Sequence, residues 1–157
     1  MRRLTPDEAQ EAVSAQGALI IDTRTPTDRA REGVIAGSLH MPRTVLEWAC
    51  DPASGYQNPA IQDFDQALIV MCNEGYSSSL AAATLQRLGF HRATDMIGGF
   101  RAWKAAGLPV QFSSRPPEAE IDGMGAPEPP AGKHQPIRPR RFALRYRLYR
   151  LFLRVFQ

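Results

Sequence analysis

A cysteine followed by a short polar loop is the stretch of this sequence best suited to chemistry. Residues 67–71 form a short apolar run, Cys72 follows at once, and good helix formers extend from there to Leu88 and Gly89. A buried strand that ends in cysteine and turns quickly into a helix places the sulfur at the helix N-terminus. Unpaired backbone N–H groups and the helix dipole favour negative charge at such a site. They lower a thiol pKa from about 8.5 toward neutrality, and the thiolate is the nucleophile. We therefore predict a reactive Cys72; taken alone, the loop also fits a buried, inert structural cysteine.

The elements around this loop follow from an alternation of short apolar runs with helical segments. Thr5 and Glu8 have the spacing of a helix start, and an apolar run at residues 18–21 ends in Asp22, Thr23 and Arg24. This alternation predicts an α/β fold with a mostly parallel sheet. Sites in such sheets form beyond the carboxyl ends of the strands. Asp22, Arg24 and Cys72 could therefore share one crevice.

Composition excludes several classes of protein. The chain has 157 residues and only two cysteines, too few for a disulfide framework and without the paired spacing of a zinc site. Its three histidines are scattered, so we expect no metal ion and no cofactor. We also expect no signal peptide and no bilayer span, and a reducing cytoplasmic setting.

The positive charge of the chain is concentrated at its C-terminal end. Residues 1–132 carry a net charge of −5, whereas residues 133–157 carry +8. We predict a globular domain over residues 1–113, a disordered Pro-rich linker over 114–140, and a basic amphipathic helix or tail over 141–157. Wound as a helix, the tail places Arg147, Arg150 and Arg154 on one face.

Three partners for the tail follow from this pattern. It could lie on an anionic membrane surface, which would hold the protein at the inner membrane face. It could instead dock on its own domain or on a protein partner. Nucleic acid is the least favoured, because that interface needs more polar contacts than this apolar surface offers.

Four motifs in order along residues 4–110 resemble the rhodanese-like (sulfurtransferase) domain family. They are a strand that ends in Asp22-Thr23-Arg24, a Gly-containing stretch over residues 32–42, the loop Cys72-x-x-Gly75-x-Ser77 with its helix, and Ile97-Gly98-Gly99-Phe100-Arg101-Ala102-Trp103 followed by Gly107-Leu108-Pro109. Each motif is weak alone, but four in the right order identify the family. Residues 76–79 and 43–48 are similar to its bacterial single-domain type.

The resemblance implies a three-layer fold, with helices on both faces of the central sheet, and a sulfurtransferase mechanism. Cys72 would take the outer sulfur of a thiosulfate-like or persulfide donor and hold it as a persulfide, then pass it to a thiol or cyanide. The loop that would bind the substrate comprises Asn73, Glu74, Gly75, Tyr76, Ser77 and Ser78. Its backbone N–H groups would ring the sulfur. Asp22 and Arg24 would brace the loop rather than react.

The loop departs from the family pattern in its charge. Active members often carry Arg or Lys there to bind an anionic donor, whereas this loop has Glu74 and no cation. Arg24, Arg43 or Arg101 could supply positive charge from elsewhere. The alternative function is a non-catalytic rhodanese-like module that binds a partner or senses redox state.

Phosphatases with a similar cradle are a further comparison. They close the loop with an arginine at the sixth position after the cysteine, where this chain has Ser78. Since phosphoryl transfer needs that positive clamp, phosphatase activity is disfavoured.

Overall fold

The computed structural model of the protein describes residues 1–112. The predicted linker (114–140) and tail (141–157) lie outside the described residues. Within the described part, helices and strands alternate along the chain. In order they are α1 (Pro6–Gln16), β1 (Leu19–Asp22), α2 (Pro26–Glu32), β2 (Leu39–His40), α3 (Leu46–Cys50), β3 (Leu68–Met71), α4 (Tyr76–Leu88), β4 (Thr94–Asp95) and α5 (Gly99–Ala105). None of the helices over residues 1–112 combines the length and apolarity that a bilayer crossing requires.

Helix α1 begins and ends where the local sequence predicts. The Thr5 hydroxyl accepts the Glu8 backbone N–H, and the Glu8 carboxylate accepts the Thr5 N–H, so the pair forms a capping box. Pro6 suits the first turn because its missing N–H would have no helical partner there. Gly17 ends the helix with φ 65°, a left-handed conformation that glycine adopts without steric cost.

The four strands form one parallel sheet in the order β2-β1-β3-β4. Strands β1 and β3 are therefore neighbours at its centre, with Ile21 opposite Val70 and Asp22 opposite Met71. The next residues along the two strands, Thr23 and Cys72, leave the sheet at the same edge. This confirms the predicted α/β class and places the cysteine loop beyond the carboxyl ends of the central strands.

The central strands are buried on both faces, as their continuous apolar sequences predict. On one face Ile21, Leu68 and Val70 pack with residues of α3 and α4, among them Leu46 and Leu85. The opposite face has its own core, which combines strand residues with residues of α1 and α5: Ile20, Ile69, Met71, Ala9, Phe100 and Trp103. Helices thus cover both faces of the sheet, which is the expected three-layer arrangement.

The outer strands β2 and β4 are short, at two residues each. Beyond β2 the pairing continues through one bond, from the Met41 N–H to the Asp22 carbonyl (3.0 Å), and Pro42 follows. On the other side, Leu4 lies alongside β4, since its N–H donates to the Asp95 carbonyl (3.0 Å) and its carbonyl accepts the Ile97 N–H (2.8 Å). The segment before α1 is thereby held beside β4, close to the cysteine loop.

Candidate active site

Cys72 follows β3 directly, and the chain enters α4 only four residues later. Gly75 makes this sharp turn possible, because its φ of 81° is a conformation that other residues rarely adopt. Cys72 is 9% exposed, so the residue is largely sheltered from solvent. The structure thus places the thiol at the N-terminus of a helix, as the sequence predicts.

The sulfur is surrounded by hydrogen-bond donors. The Gly75 N–H donates to Cys72 Sγ at 3.2 Å, and Ser78 Oγ lies 3.4 Å from the sulfur. Burial by itself would raise the pKa of Cys72. Hydrogen bonds from the Ser77 and Ser78 side chains, and from the Ser78 and Glu74 backbones, more than offset that effect and lower the pKa to about 7. A substantial fraction of Cys72 is therefore thiolate at neutral pH.

The opposite side of the loop backbone is held by α5. The Phe100 N–H donates to the Cys72 carbonyl at 2.9 Å, and the Arg101 N–H donates to the Asn73 carbonyl at 3.1 Å. Gly99 allows this approach, since a Cβ at that position would lie 2.4 Å from the Cys72 carbonyl oxygen. The sequence indicated only a turn at Gly98 and Gly99. In the structure this turn fixes the direction of the loop carbonyls.

Asp22 and Arg24 form a buried ion pair one strand away from the cysteine. Arg24 Nη2 lies 2.7 Å from Asp22 Oδ2 and also donates to the Gly33 carbonyl at 2.8 Å. The Arg24 guanidinium is centred 3.6 Å from the Phe100 ring. Since the backbone of Phe100 bonds to Cys72, this stacking links the pair to the loop through α5. Bracing by Asp22 and Arg24 stays a prediction, and this stacking contact is the route it would take.

Asn73 joins the loop to α2. Its Nδ2 donates to Asp28 Oδ2 at 3.1 Å. Hydrogen bonds from the Thr25 hydroxyl and from Asn73 lower the pKa of Asp28, so this acceptor is ionised at neutral pH. The Asn73 side chain thus points to a neighbouring helix and links the loop to it.

The remaining loop residues form the outer rim. Tyr76 is 77% exposed, and Ser77 and Glu74 are exposed as well. Glu74 forms an ion pair with Arg101, which also lies 3.6 Å from Glu32. The carboxylate that could repel an anionic donor is therefore paired with a cation at the rim, one of the three arginines proposed from the sequence.

A second cation, Arg3, contacts the loop from the segment before α1, and sequence reasoning missed it. Arg3 donates through Nε and Nη2 to the two carboxylate oxygens of Asp95, each at 2.8 Å, and through Nη2 to the Gly75 carbonyl at 2.7 Å. Ser78 Oγ in turn donates to Asp95 Oδ2 at 3.2 Å. Arg3 and Asp95 are 92 positions apart, so only the pairing of Leu4 beside β4 reveals the contact.

These features agree with the comparison to known families. A profile described as the rhodanese-like domain matches residues 5–106, well over half of the chain. The chain belongs to the rhodanese-like domain family. The match covers the strand before Asp22, the Cys72 loop and the turn at Gly98 and Gly99, and it ends just before the Gly107-Leu108-Pro109 stretch that closes the fourth motif.

Curated relatives and solved structures extend the match. A thiosulfate sulfurtransferase GlpE of Ectopseudomonas mendocina is 36% identical over 104 residues, which is 66% of this chain and 85% of that protein. A Rhodopseudomonas palustris protein of unknown function, described as a possible tyrosine phosphatase, is 34% identical with a TM-score of 0.65, over 71% of this chain and 85% of that one. A human single-domain sulfurtransferase shares the fold, with 22% identity and a TM-score of 0.56 over 67% of this chain and 96% of that one. The predicted family and its bacterial single-domain type are confirmed.

The second cysteine of this rhodanese-like domain has an environment that disfavours its thiolate. Cys50 is fully buried, and its sulfur lies 3.9 Å from Met41 Sδ. Burial, reinforced by the charge of Glu47, raises the pKa of Cys50 to about 12. Among residues 1–112, no cluster of three or more His, Cys, Asp or Glu side chains could hold a metal ion.

Proposed function

We propose that this rhodanese-like sulfurtransferase carries sulfane sulfur on Cys72 as a persulfide. The observation that carries the proposal is the thiolate site itself. Cys72 Sγ is sheltered at the start of α4, with the Gly75 N–H at 3.2 Å, Ser78 Oγ at 3.4 Å and a pKa of about 7. A low pKa supplies the nucleophile, and the same donors can accept the negative charge of a persulfide.

The first half-reaction transfers sulfur from the donor to the enzyme. The Cys72 thiolate attacks the outer sulfur of a thiosulfate-like donor and forms an S–S bond. The bond between that sulfur and the rest of the donor breaks, and its electron pair leaves on sulfite. With a persulfide donor, the leaving group is a thiolate. The enzyme then holds one additional sulfur atom.

The second half-reaction regenerates the enzyme. A thiol acceptor, as its thiolate, or cyanide attacks the outer sulfur of the Cys72 persulfide. The S–S bond breaks, its electron pair returns to Cys72, and the product is a new persulfide or thiocyanate. The two half-reactions share one covalent intermediate, so ping-pong kinetics are expected.

The charges at the rim bear on the choice of donor. Glu74 faces solvent in an ion pair with Arg101, which offsets its repulsion of an anion. We infer that small anionic donors of the thiosulfate class and persulfides can both enter. The curated relatives are named thiosulfate sulfurtransferases, which supports the first of these classes.

Phosphatase chemistry is not supported by the same geometry. Ser78 occupies the position where a phosphatase loop carries its arginine, and its hydroxyl is buried against Asp95. Arg3 is already bound to Asp95 and to the Gly75 carbonyl. Neither group offers the bidentate clamp that a phosphoryl group requires.

Intact-protein mass spectrometry tests the proposal. Treatment with thiosulfate, and separately with a small-molecule persulfide, should add one sulfur atom to the native chain, and cyanide should remove it with release of thiocyanate. Cys72→Ser should take up none, whereas Cys50→Ala, the matched control, should behave like the wild type.

Two outcomes would contradict the proposal. Sulfur uptake by Cys72→Ser would place the carrier elsewhere. An unmodified wild type, oxidised by peroxide but not loaded by either donor, would favour the alternative of a redox-sensing or binding module.

A further inference from the structure

The candidate is the buried polar network beneath the cysteine loop. Asp95 and Ser78 are both fully buried, and a chain of contacts through them connects Cys72 to Arg3. The Cys72 sulfur lies 3.4 Å from Ser78 Oγ, and Ser78 Oγ lies 3.2 Å from Asp95 Oδ2. Arg3 Nη2 and Nε each lie 2.8 Å from an Asp95 carboxylate oxygen. Arg3 is the most exposed member of the network, with 37% of its side chain accessible to solvent. A buried charge needs such a partner, because an unpaired carboxylate in the interior is costly.

The network presents a competition for one hydrogen atom. The Ser78 hydroxyl has a single hydrogen, and two anionic acceptors lie within reach, the Asp95 carboxylate and the Cys72 thiolate. If the Ser78 hydroxyl keeps its hydrogen bond to Asp95, the thiolate loses a donor. The negative charge of Asp95 also opposes a second negative charge on the sulfur.

Arg3 changes the balance of this competition. Its two hydrogen bonds occupy both oxygens of Asp95 and compensate the carboxylate charge. Its third bond, to the Gly75 carbonyl, fixes the residue whose N–H donates to the sulfur. Hydrogen bonds to Asp95 raise the pKa of Arg3, and the negative charges of Asp95 and of Cys72 add to that rise, so the guanidinium and the thiolate attract each other.

We propose that Arg3 is a positioning residue for sulfur transfer: by pairing with Asp95 it releases the Ser78 hydroxyl hydrogen to the Cys72 sulfur. Arg3 is not among the cations that the sequence suggested, which were Arg24, Arg43 and Arg101. The inference rests on the proposed function in one respect: the thiolate that Arg3 favours is the form of Cys72 that attacks the donor. The charged groups that face the loop from the elements packed around it are Arg3, Asp95, Glu74, Arg101 and Asp28.

The two partners of the pair have opposite expected effects. Arg3→Gln leaves Asp95 with an uncompensated charge that retains the Ser78 hydrogen, so the pKa of Cys72 rises. We expect a rise of about one unit, which lowers the alkylation rate at pH 6 roughly tenfold. Asp95→Asn removes that charge, and its amide can donate to Ser78 Oγ. The pKa of Cys72 then falls, and the alkylation rate at pH 6 rises about threefold.

The experiment is the rate of iodoacetamide alkylation against pH, measured on the full chain by mass spectrometry. Arg2→Gln is the matched control, because Arg2 is a neighbouring arginine whose side chain pairs with Glu8 at the surface, and its profile should equal that of the wild type. The double variant Arg3→Gln/Asp95→Asn, which removes both charges, should return to within about threefold of the wild type.

Opposite shifts distinguish this role from simple bracing of the loop. A structural role alone would slow alkylation in both single variants, and shifts of the same sign, or none, would overturn the proposal. If Arg3→Gln fails to fold, Arg3→Lys provides the test. Lysine keeps the positive charge, so the alkylation profile of Cys72 should stay that of the wild type, and a tenfold loss of the alkylation rate at pH 6 would contradict the proposal. The alkylation profile does not depend on sulfur uptake, so failure of the sulfurtransferase test and failure of this one are separate results.

Discussion

At the scale of single residues, the site depends on how the environment of Cys72 differs from that of Cys50. Both sulfurs are buried, yet the pKa of Cys72 is lowered to about 7 and that of Cys50 is raised to about 12. Cys72 has donors from the loop and from the first turn of α4, whereas Cys50 lies beside the sulfur of Met41. Donors and a helix N-terminus, rather than exposure, account for the opposite pKa shifts of the two thiols.

The lowered pKa of Cys72 predicts a pH dependence of stability. The ordinary pKa of the thiol is near 9.0, so the folded state binds its proton less tightly than the unfolded chain does. The ionised thiolate therefore stabilises the fold fully above about pH 9, and this contribution is lost as pH falls through about 7. Between pH 6 and pH 9, the free energy of unfolding should rise by about 2 kcal/mol more in the wild type than in Cys72→Ser.

Urea denaturation at both pH values measures this difference. Parallel profiles for the two proteins would contradict it, and Cys50→Ala should follow the wild type.

Glu74 gives a second prediction at this scale, about the donor. Glu74→Gln removes a negative charge from the rim, so the KM for thiosulfate should fall about two- to fivefold at low ionic strength, with kcat changed little. The difference should shrink in high salt because exposed charges are screened. Initial-rate kinetics at two salt concentrations provide the measurement. Glu47→Gln, on the exposed side of α3 where Glu47 pairs with Arg43, is the matched control and should leave the KM unchanged. An equal effect of both substitutions would show that the rim charge has no special role.

At the scale of elements, the shape of the loop depends on four neighbouring elements as well as on its own sequence. The strand β3 and the helix α4 define its ends, and α5 binds the carbonyls of Cys72 and Asn73. On its other side, α2 binds Asn73 through Asp28. The loop amides keep their direction toward the sulfur because the loop carbonyls bond to α5 and the Asn73 side chain bonds to α2.

Gly99 provides the prediction for these elements. Gly99→Ala would place a Cβ 2.4 Å from the Cys72 carbonyl oxygen at a φ of 58°, so the loop must shift. We expect a loss of about 3 kcal/mol in the free energy of unfolding and a loss of sulfur uptake. Gly107→Ala, at a φ of 72° with nothing within 4 Å of the added Cβ, should cost only about 1 kcal/mol and keep activity. Chemical denaturation together with sulfur uptake checks both; similar behaviour of the two variants would show that the contact with Cys72 is unimportant.

Much of this arrangement follows from local sequence, and the rest from long-range pairing. The apolar run before Cys72, the helix formers after it, and the cap at Thr5 each act within a few residues, so sequence reasoning predicted them. The contact of Gly99 with Cys72 depends on how α5 packs against the end of β3. Arg3 was missed for the same reason, because its approach to Asp95 depends on Leu4 pairing beside β4. Patterns of spacing along the chain contain no signal for either contact.

At the scale of the whole molecule, the site and both apolar cores lie within residues 1–112. The basic segment over 141–157 stays a prediction, with an anionic surface or a protein partner as its proposed target. A chain truncated after residue 113 should therefore keep its sulfur uptake. The full chain, but not the truncated one, should sediment with vesicles that contain phosphatidylserine, and high salt should release it. No vesicle binding by the full chain would favour docking on protein instead.

The contrast between the two cysteines also makes the protein its own assay. Of its two free thiols, only Cys72 should react with a colorimetric thiol reagent while the chain is folded, and Cys50 should appear when a denaturant is added. The ratio of the two readings gives the fraction of native molecules in a sample, since it is one half when every molecule is folded and one when none is. No label, tag or engineered probe is needed for that count.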